Sequence, residues 1–243
     1  MVGFLRTGYL VVVLVAMLPA CTTVGMHTRE RAKLDYGPPL TMQICLLRAP
    51  GVSEQRATEL MNAVRKELAL YNIDVVVPWT RDWQRVGFTA NAMFERDLYR
   101  RELEPPCDRL VALVDRHAGD FVWGLLGMPE VLGAVDDETH THGMVVAIAV
   151  TESQLYITPE DAAVHEFYHL LGCPHAATLT RCYSIIAKLK SQTDPKVSFV
   201  PGIAANGDFL FSREAVNEAL KETIAKEDAK RHRTSASRTQ NEK

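Results

Sequence analysis

Apolar positions along the chain fall into short runs and helical stripes separated by polar stretches, and their order predicts the elements. Gln43 to Arg48 is an apolar run before Pro50-Gly51, and Ile73 to Val77 is another before Pro78; both read as buried strands. Between them Ala57, Leu60, Met61, Val64, Leu68 and Tyr71 recur at spacings of three and four. That is the stripe of an amphipathic helix, with Ser53 as its N-cap and Glu54 behind it. Strand, helix and strand in this order predict a parallel pair with a right-handed crossover. Further on, Ala90 to Leu103 reads as a second helix, Arg109 to Asp115 as a strand, and Phe121 to Leu126 as a segment that extends or pairs with it. Val131 to Val135 reads as a short edge strand, and Met144 to Val150, almost entirely apolar, as a strand covered on both faces.

Thr158-Pro159-Glu160-Asp161 opens another helix: Thr158 can cap, Pro159 suits the first helical position, and the acids face the positive dipole end. Beyond this helix the pattern is irregular to about Phe211. A last helix is predicted from Ser212 to about Ala225, with Val216, Ala219, Leu220 and Ile224 inward. Lys226 to Lys243 reads as a solvated, disordered polar tail. The expected fold class is α+β, with an α/β-like N-terminal part, in one domain over residues 40–225. At 243 residues, 47% of them apolar, the chain has enough core-forming side chains for that domain. A net charge of -3 without a basic stripe gives no electrostatic footing for a nucleic-acid partner.

The N-terminus changes the picture. Arg6, the apolar run Tyr9 to Leu18 and then Pro19-Ala20-Cys21 read as an export signal over residues 1–20. The run is short for a membrane span, which needs about 20 apolar residues. Leu18-Pro19-Ala20-Cys21 resembles the lipobox of bacterial lipoproteins. The resemblance implies acylation of Cys21 (diacylglycerol and an N-acyl chain such as palmitate), a membrane anchor in the bacterial envelope, and residues 21–39 as a tether. Thr22 in place of aspartate implies sorting to the outer membrane, facing the periplasm. Five cysteines less Cys21 leave four, Cys45, Cys107, Cys173 and Cys182, an even number in an oxidising compartment. Four cysteines allow three connectivities. Cys173 with Cys182 and Cys45 with Cys107 is the expected pairing, and reduced core cysteines are the alternative.

The candidate chemistry lies in His165-Glu166-Phe167-Tyr168-His169-Leu170-Leu171-Gly172-Cys173-Pro174-His175. Helix positions four apart sit about 40° from each other around the axis, so His165 and His169 can face one ion. Gly172 can end the helix in a left-handed conformation and Pro174 cannot continue it, so the chain turns back and His175 can supply a third nitrogen. Three nitrogens leave a position open for water, the mark of a catalytic zinc. Glu166, beside the ligands, is the candidate general base. Phe167 and Tyr168 point away from the ligands and are expected to pack in the core.

The pattern His-Glu-x-x-His-x-x-Gly-x-x-His resembles that of the metzincin metallopeptidases at all five fixed positions, and the overall layout resembles the archaemetzincins. The likeness implies a metzincin-type zincin fold: a mixed twisted sheet, an antiparallel edge strand lining the cleft, an active-site helix and a small C-terminal part. It also implies one Zn2+, a peptide or protein substrate paired with the edge strand Val131 to Val135, and peptide-bond hydrolysis.

Two features depart from that family. No methionine follows Met144, so the segment Arg181-Cys182-Tyr183-Ser184-Ile185 lacks the methionine turn that lies under the metal. No Cys-x-x-Cys pair for a second zinc follows the third histidine. Tyr183 could approach the metal, although packing is its default. Asp136 to His142 could hold a cation or be a solvated turn. Two other readings stay open: a catalytically silent zinc-binding lipoprotein that acts as a binding module, and a zinc amidase on cell-wall material.

Overall fold

The structure, a computed structural model, describes residues 28–86, 94, 97–116, 119–120, 131–148, 157–175, 180–194 and 199–241. The signal segment 1–20, Cys21 and the segment 121–126 lie outside these residues. The elements are α1 (Thr28–Arg31), β1 (Leu40–Arg48), α2 (Glu54–Leu68), β2 (Ile73–Val76), β3 (Thr80–Asp82), β4 (Arg109–Val114), β5 (Gly133–Val135) and β6 (His142–Val146). They are followed by α3 (Pro159–Leu170), α4 (Thr180–Gln192), β7 (Gly202–Ile203), β8 (Phe209–Leu210) and α5 (Arg213–Asn241). No helix among the described residues is long and apolar enough to cross a membrane.

The main sheet has the order β2-β1-β4-β6-β5, with β3 continuing beside the far end of β1. Every pairing is parallel except β5 with β6, which is antiparallel and sets β5 at the edge. The class is therefore α+β with a mixed sheet. As expected, β1 and β2 are parallel and joined by a helix capped by Ser53, whose Oγ accepts the Arg56 N–H at 3.1 Å. The stripe Ala57, Leu60, Met61, Val64 and Leu68 is buried, with Tyr71 behind it in a 3-10 turn. Burial of a large aliphatic side chain contributes about 1.5–3 kcal/mol, so this stripe anchors α2 on the sheet.

The strands β4 and β6 are buried along their whole length because both sheet faces are covered. Along β1, Met42, Ile44 and Leu46 enter one core, shared with α2, α3 and α4. Cys45 and Leu47 enter the other, which Trp83, Leu98, Phe199 and Val216 complete. Two disulfides form, one in each core: Cys45–Cys107, separated by 62 residues, and Cys173–Cys182, separated by 9.

Several expectations need correction. Of the helix read over Ala90 to Leu103, residues 90–93 and 95–96 lie outside the described residues and Phe94 is helical, but Leu98–Arg100 is a 3-10 turn and the chain beyond it is not helical. Pro105-Pro106 follows closely and disfavours helical backbone before it. The stretch read as irregular contains α4, whose buried residues Cys182, Tyr183, Ile186, Leu189 and Lys190 repeat at helical spacing. The last helix does not end near Ala225 but runs to Asn241. Its continuation begins with the good helix formers Lys226, Glu227, Ala229 and Lys230, and Arg100 grips Asp228 through two bonds of 3.0 and 2.7 Å. Part of the tether is docked: α1 precedes Tyr36, which is buried and meets Tyr71 edge-on with ring centroids 5.0 Å apart.

Candidate metal centre

Both ends of α3 are fixed by local chemistry. At its start Thr158 and Asp161 form a capping box, each side chain bonding the other's backbone N–H, and Pro159 takes the first turn. The Arg56 guanidinium of α2 pairs with Glu160 and donates to the Ala147 carbonyl at 2.7 Å, tying this end to α2 and to the chain after β6. At the other end Gly172 has φ +84°, its N–H bonds the His169 carbonyl at 2.8 Å, and the Cys173 N–H bonds the Tyr168 carbonyl at 3.0 Å. This is a complete Schellman turn, and only glycine adopts its left-handed residue without strain. A Cβ at Gly172 would also meet Ile203 Cδ1 at 2.3 Å.

The turn brings three imidazoles together. His165, His169 and His175 each offer a nitrogen, and these atoms lie within 4.8 Å of one another. The Nε2 atoms of His165 and His169 are 3.0 Å apart, and the His175 ring centroid is 4.0 Å from that of His169. Facing the Cys173 carbonyl at 2.6 Å, His169 Nδ1 must carry the proton, which leaves the Nε2 lone pair for a metal. The residue that turns the chain thus also sets the tautomer of the second ligand. Burial holds the His165 ring below its ordinary pKa and pushes His169 down to about 4, so both stay neutral, as metal ligation requires. The group could hold a metal ion, and it is the one group of its kind among the described residues.

Glu166 is outside the ligand set. Its side chain lies against Gly133 of β5, where a Cβ would stand 2.3 Å from Glu166 Cγ and 2.6 Å from Oε1. A glycine in the edge strand is therefore what lets the carboxylate approach the strand. Burial pushes the Glu166 carboxyl up to about 8. A carboxyl so placed can take and return a proton beside β5.

No protein-family model matches the chain, and no curated protein matches it. The site must therefore be read from its own atoms.

The remaining sequence candidates separate clearly. Phe167 and Tyr168 are buried in the core, and the Tyr168 hydroxyl meets that of Tyr71 at 2.6 Å. Tyr183 is buried with its ring 6.2 Å from that of Tyr71, and it does not line the cavity beside the histidines. Arg181 to Ile185, expected under the metal, forms the first turns of α4: Cys182 bonds Cys173, while Arg181 and Ile185 line that cavity. In the loop Asp136 to His142, the buried Asp136 carboxylate accepts the N–H groups of Thr139, His140, Thr141 and His142. It is spent on shaping the loop, which is no solvated turn: Asp136, Thr139, Thr141 and His142 are buried.

Two residues near the site were not foreseen. Arg109, fully buried at the start of β4, donates to the carbonyls of Leu170 at 2.9 Å, Val200 at 2.9 Å and Pro201 at 2.8 Å. It clamps the end of α3 to the chain before β7. Its position opening an apolar run was the available signal, because a charge there needs partners. His140 has φ 55°, donates through Nδ1 to the Ile203 carbonyl at 2.7 Å, and lines the cavity with His169 and His175.

Proposed function

We propose that the chain is a zinc peptidase of the metzincin type, anchored to the bacterial envelope through Cys21. The observation that carries the reading is the placement of Glu166, outside the group of three histidines and against Gly133 of β5, the edge strand among the described residues. A merely structural metal would be enclosed by four protein ligands and would have no use for a carboxylate at that point.

His165, His169 and His175 would hold the ion, an all-nitrogen set that suits zinc. Zinc bound there supplies a Lewis acid that acidifies water and polarises a carbonyl. An extended substrate would add to β5, the edge of the sheet among the described residues, by backbone pairing, which would set its carbonyls in register with Glu166. Glu166 then takes a proton from the attacking water and returns it to the leaving amine. The two disulfides suit an oxidising compartment, in keeping with export.

The test pairs metal analysis with cleavage of a mixed peptide library by protein isolated from the envelope, before and after chelation. One zinc per chain, with cleavage lost on chelation and restored by zinc, is expected. A chain that binds one zinc and cuts neither peptides nor cell-wall amides would instead be a binding module.

A further inference from the structure

The cavity beside the histidines has a chemical character of its own. Its volume is about 520 Å³, within the range of specific ligand pockets. His169 and His175 form one side, and Arg181, Ile185 and Lys188 line it from α4. Those three residues are spaced four and three apart and so present one helix face to the cavity. Lys188 Nζ lies 5.3 Å from the Phe209 ring centroid, a cation–π contact that holds the ammonium at the wall. Among the described residues, neither Arg181 nor Lys188 has an ion-pair partner. Among the described residues, the only carboxylate lining the cavity is that of Asp137, which is exposed.

Across the Asp136–Glu138 loop the sign reverses. The neighbouring cavity is lined by Asp136, Asp137, Glu138 and Glu227 and, among the described residues, by no cationic side chain. An anionic group on an approaching substrate is drawn to the α4 side and repelled from the other.

We propose that the α4 cavity is a specificity pocket for a substrate carboxylate, with Arg181 and Lys188 as the residues that recognise it. The proposal rests on the peptidase reading for its substrate class: a chain carrying a carboxylate beside the cleaved bond. The carboxylate can be an Asp or Glu side chain or a free C-terminus, since the same two cations suit either.

The experiment measures binding and cleavage separately. Peptides of one sequence are compared with Glu, Gln or Lys at the central position, ends blocked, together with a shorter free acid that ends at Gln. Binding is measured on zinc-loaded Glu166→Gln protein, with and without Arg181→Glu and Lys188→Glu, and cleavage on the protein with Glu166 intact. The Glu peptide or the free acid should bind about tenfold more tightly than the blocked Gln peptide, and which of them does identifies the source. The double charge reversal should abolish that preference and favour the Lys peptide. Because Arg181 and Lys188 are both exposed, the variants should fold, and unchanged zinc content checks this. Equal binding of all peptides, or a carboxylate preference that survives the reversal, would overturn the pocket. Carboxylate preference without any cleavage would sustain the pocket and remove the peptidase, whereas cleavage blind to charge would do the reverse.

Discussion

The sheet, from Leu40 to Val146, and the chain that follows His175 are built by different means. In the sheet each element is stabilised by its own pattern: β1, β4 and β6 are apolar runs and α2 has a buried stripe. Past His175 the described strands are two residues each, and besides the buried faces of α4 and α5 that region is held by groups sent from elsewhere. Arg109 reaches from β4 to Val200 and Pro201, Asp108 accepts the Val200 N–H at 3.1 Å, and Cys182 is bonded to Cys173. The candidate metal centre lies on the seam. Two of its histidines belong to α3, and the third follows the turn that Cys173 and Gly172 make, so its geometry depends on contacts supplied from both sides.

The strongest way to break this arrangement is Arg109→Met. It leaves the carbonyls of Leu170, Val200 and Pro201 buried without their donor, and a loss of about 3–5 kcal/mol is expected in denaturant unfolding, together with weaker metal binding. A stability loss without any change in metal affinity would show that the clamp does not reach the site.

The two disulfides sharpen the same contrast. By loop entropy, replacing Cys45 and Cys107 by serine should cost about 4 kcal/mol, and the shorter loop of Cys173 and Cys182 about 2–3 kcal/mol. Metal affinity should respond in the opposite order. Only the second bond braces the turn that sets His169 and carries His175, so paired titrations of metal and denaturant on the two double variants separate the roles.

Much of this contrast follows from what periodicity can and cannot show. The strands β1, β2 and β4, the helix α2 and the capping of α3 were legible because neighbouring residues determine them. The stripe of α4 was hidden: Arg181, Ser184 and Lys188 interrupt its apolar residues, and its buried face includes Lys190, whose Nζ donates to the Tyr71 and Asn72 carbonyls. Arg109 read simply as the first residue of a strand, because the carbonyls it serves are 61 to 92 positions away. The grouping of the three histidines was legible from spacing alone, whereas the approach of Glu166 to Gly133 needed the sheet register.

That approach gives a smaller, more local test. Gly133→Ala should leave the three histidines and the bound metal in place while displacing the Glu166 carboxylate, lowering turnover by about ten- to a hundredfold, with a loss near 1.4 kcal/mol of transition-state stabilisation for each tenfold. Unchanged turnover would mean that Glu166 is not aligned by the edge strand.

The smallest effect lies in the sheet. Burial holds His142 below its ordinary value of 6.5, with Nε2 donating to the Arg101 carbonyl at 2.9 Å. The unfolded chain takes up this proton more readily than the folded one. Stability from this group is therefore full above pH 6.5 and is lost as pH falls through the folded-state pKa, by at most about 1.4 kcal/mol per pH unit. His142→Gln, compared in metal-loaded protein so that the ligand histidines do not titrate, should flatten the acid limb of a stability–pH curve by up to that slope. An acid limb identical to the parent's would contradict the assignment.

The central claim, that the histidines bind and Glu166 reacts, is tested most directly by measuring zinc content and peptide turnover on the same preparation of Glu166→Ala. Zinc should stay at one per chain because the three nitrogens are intact, while turnover falls about 10²–10⁴-fold with loss of the base. Turnover equal to that of the parent, at equal zinc content, would contradict the account.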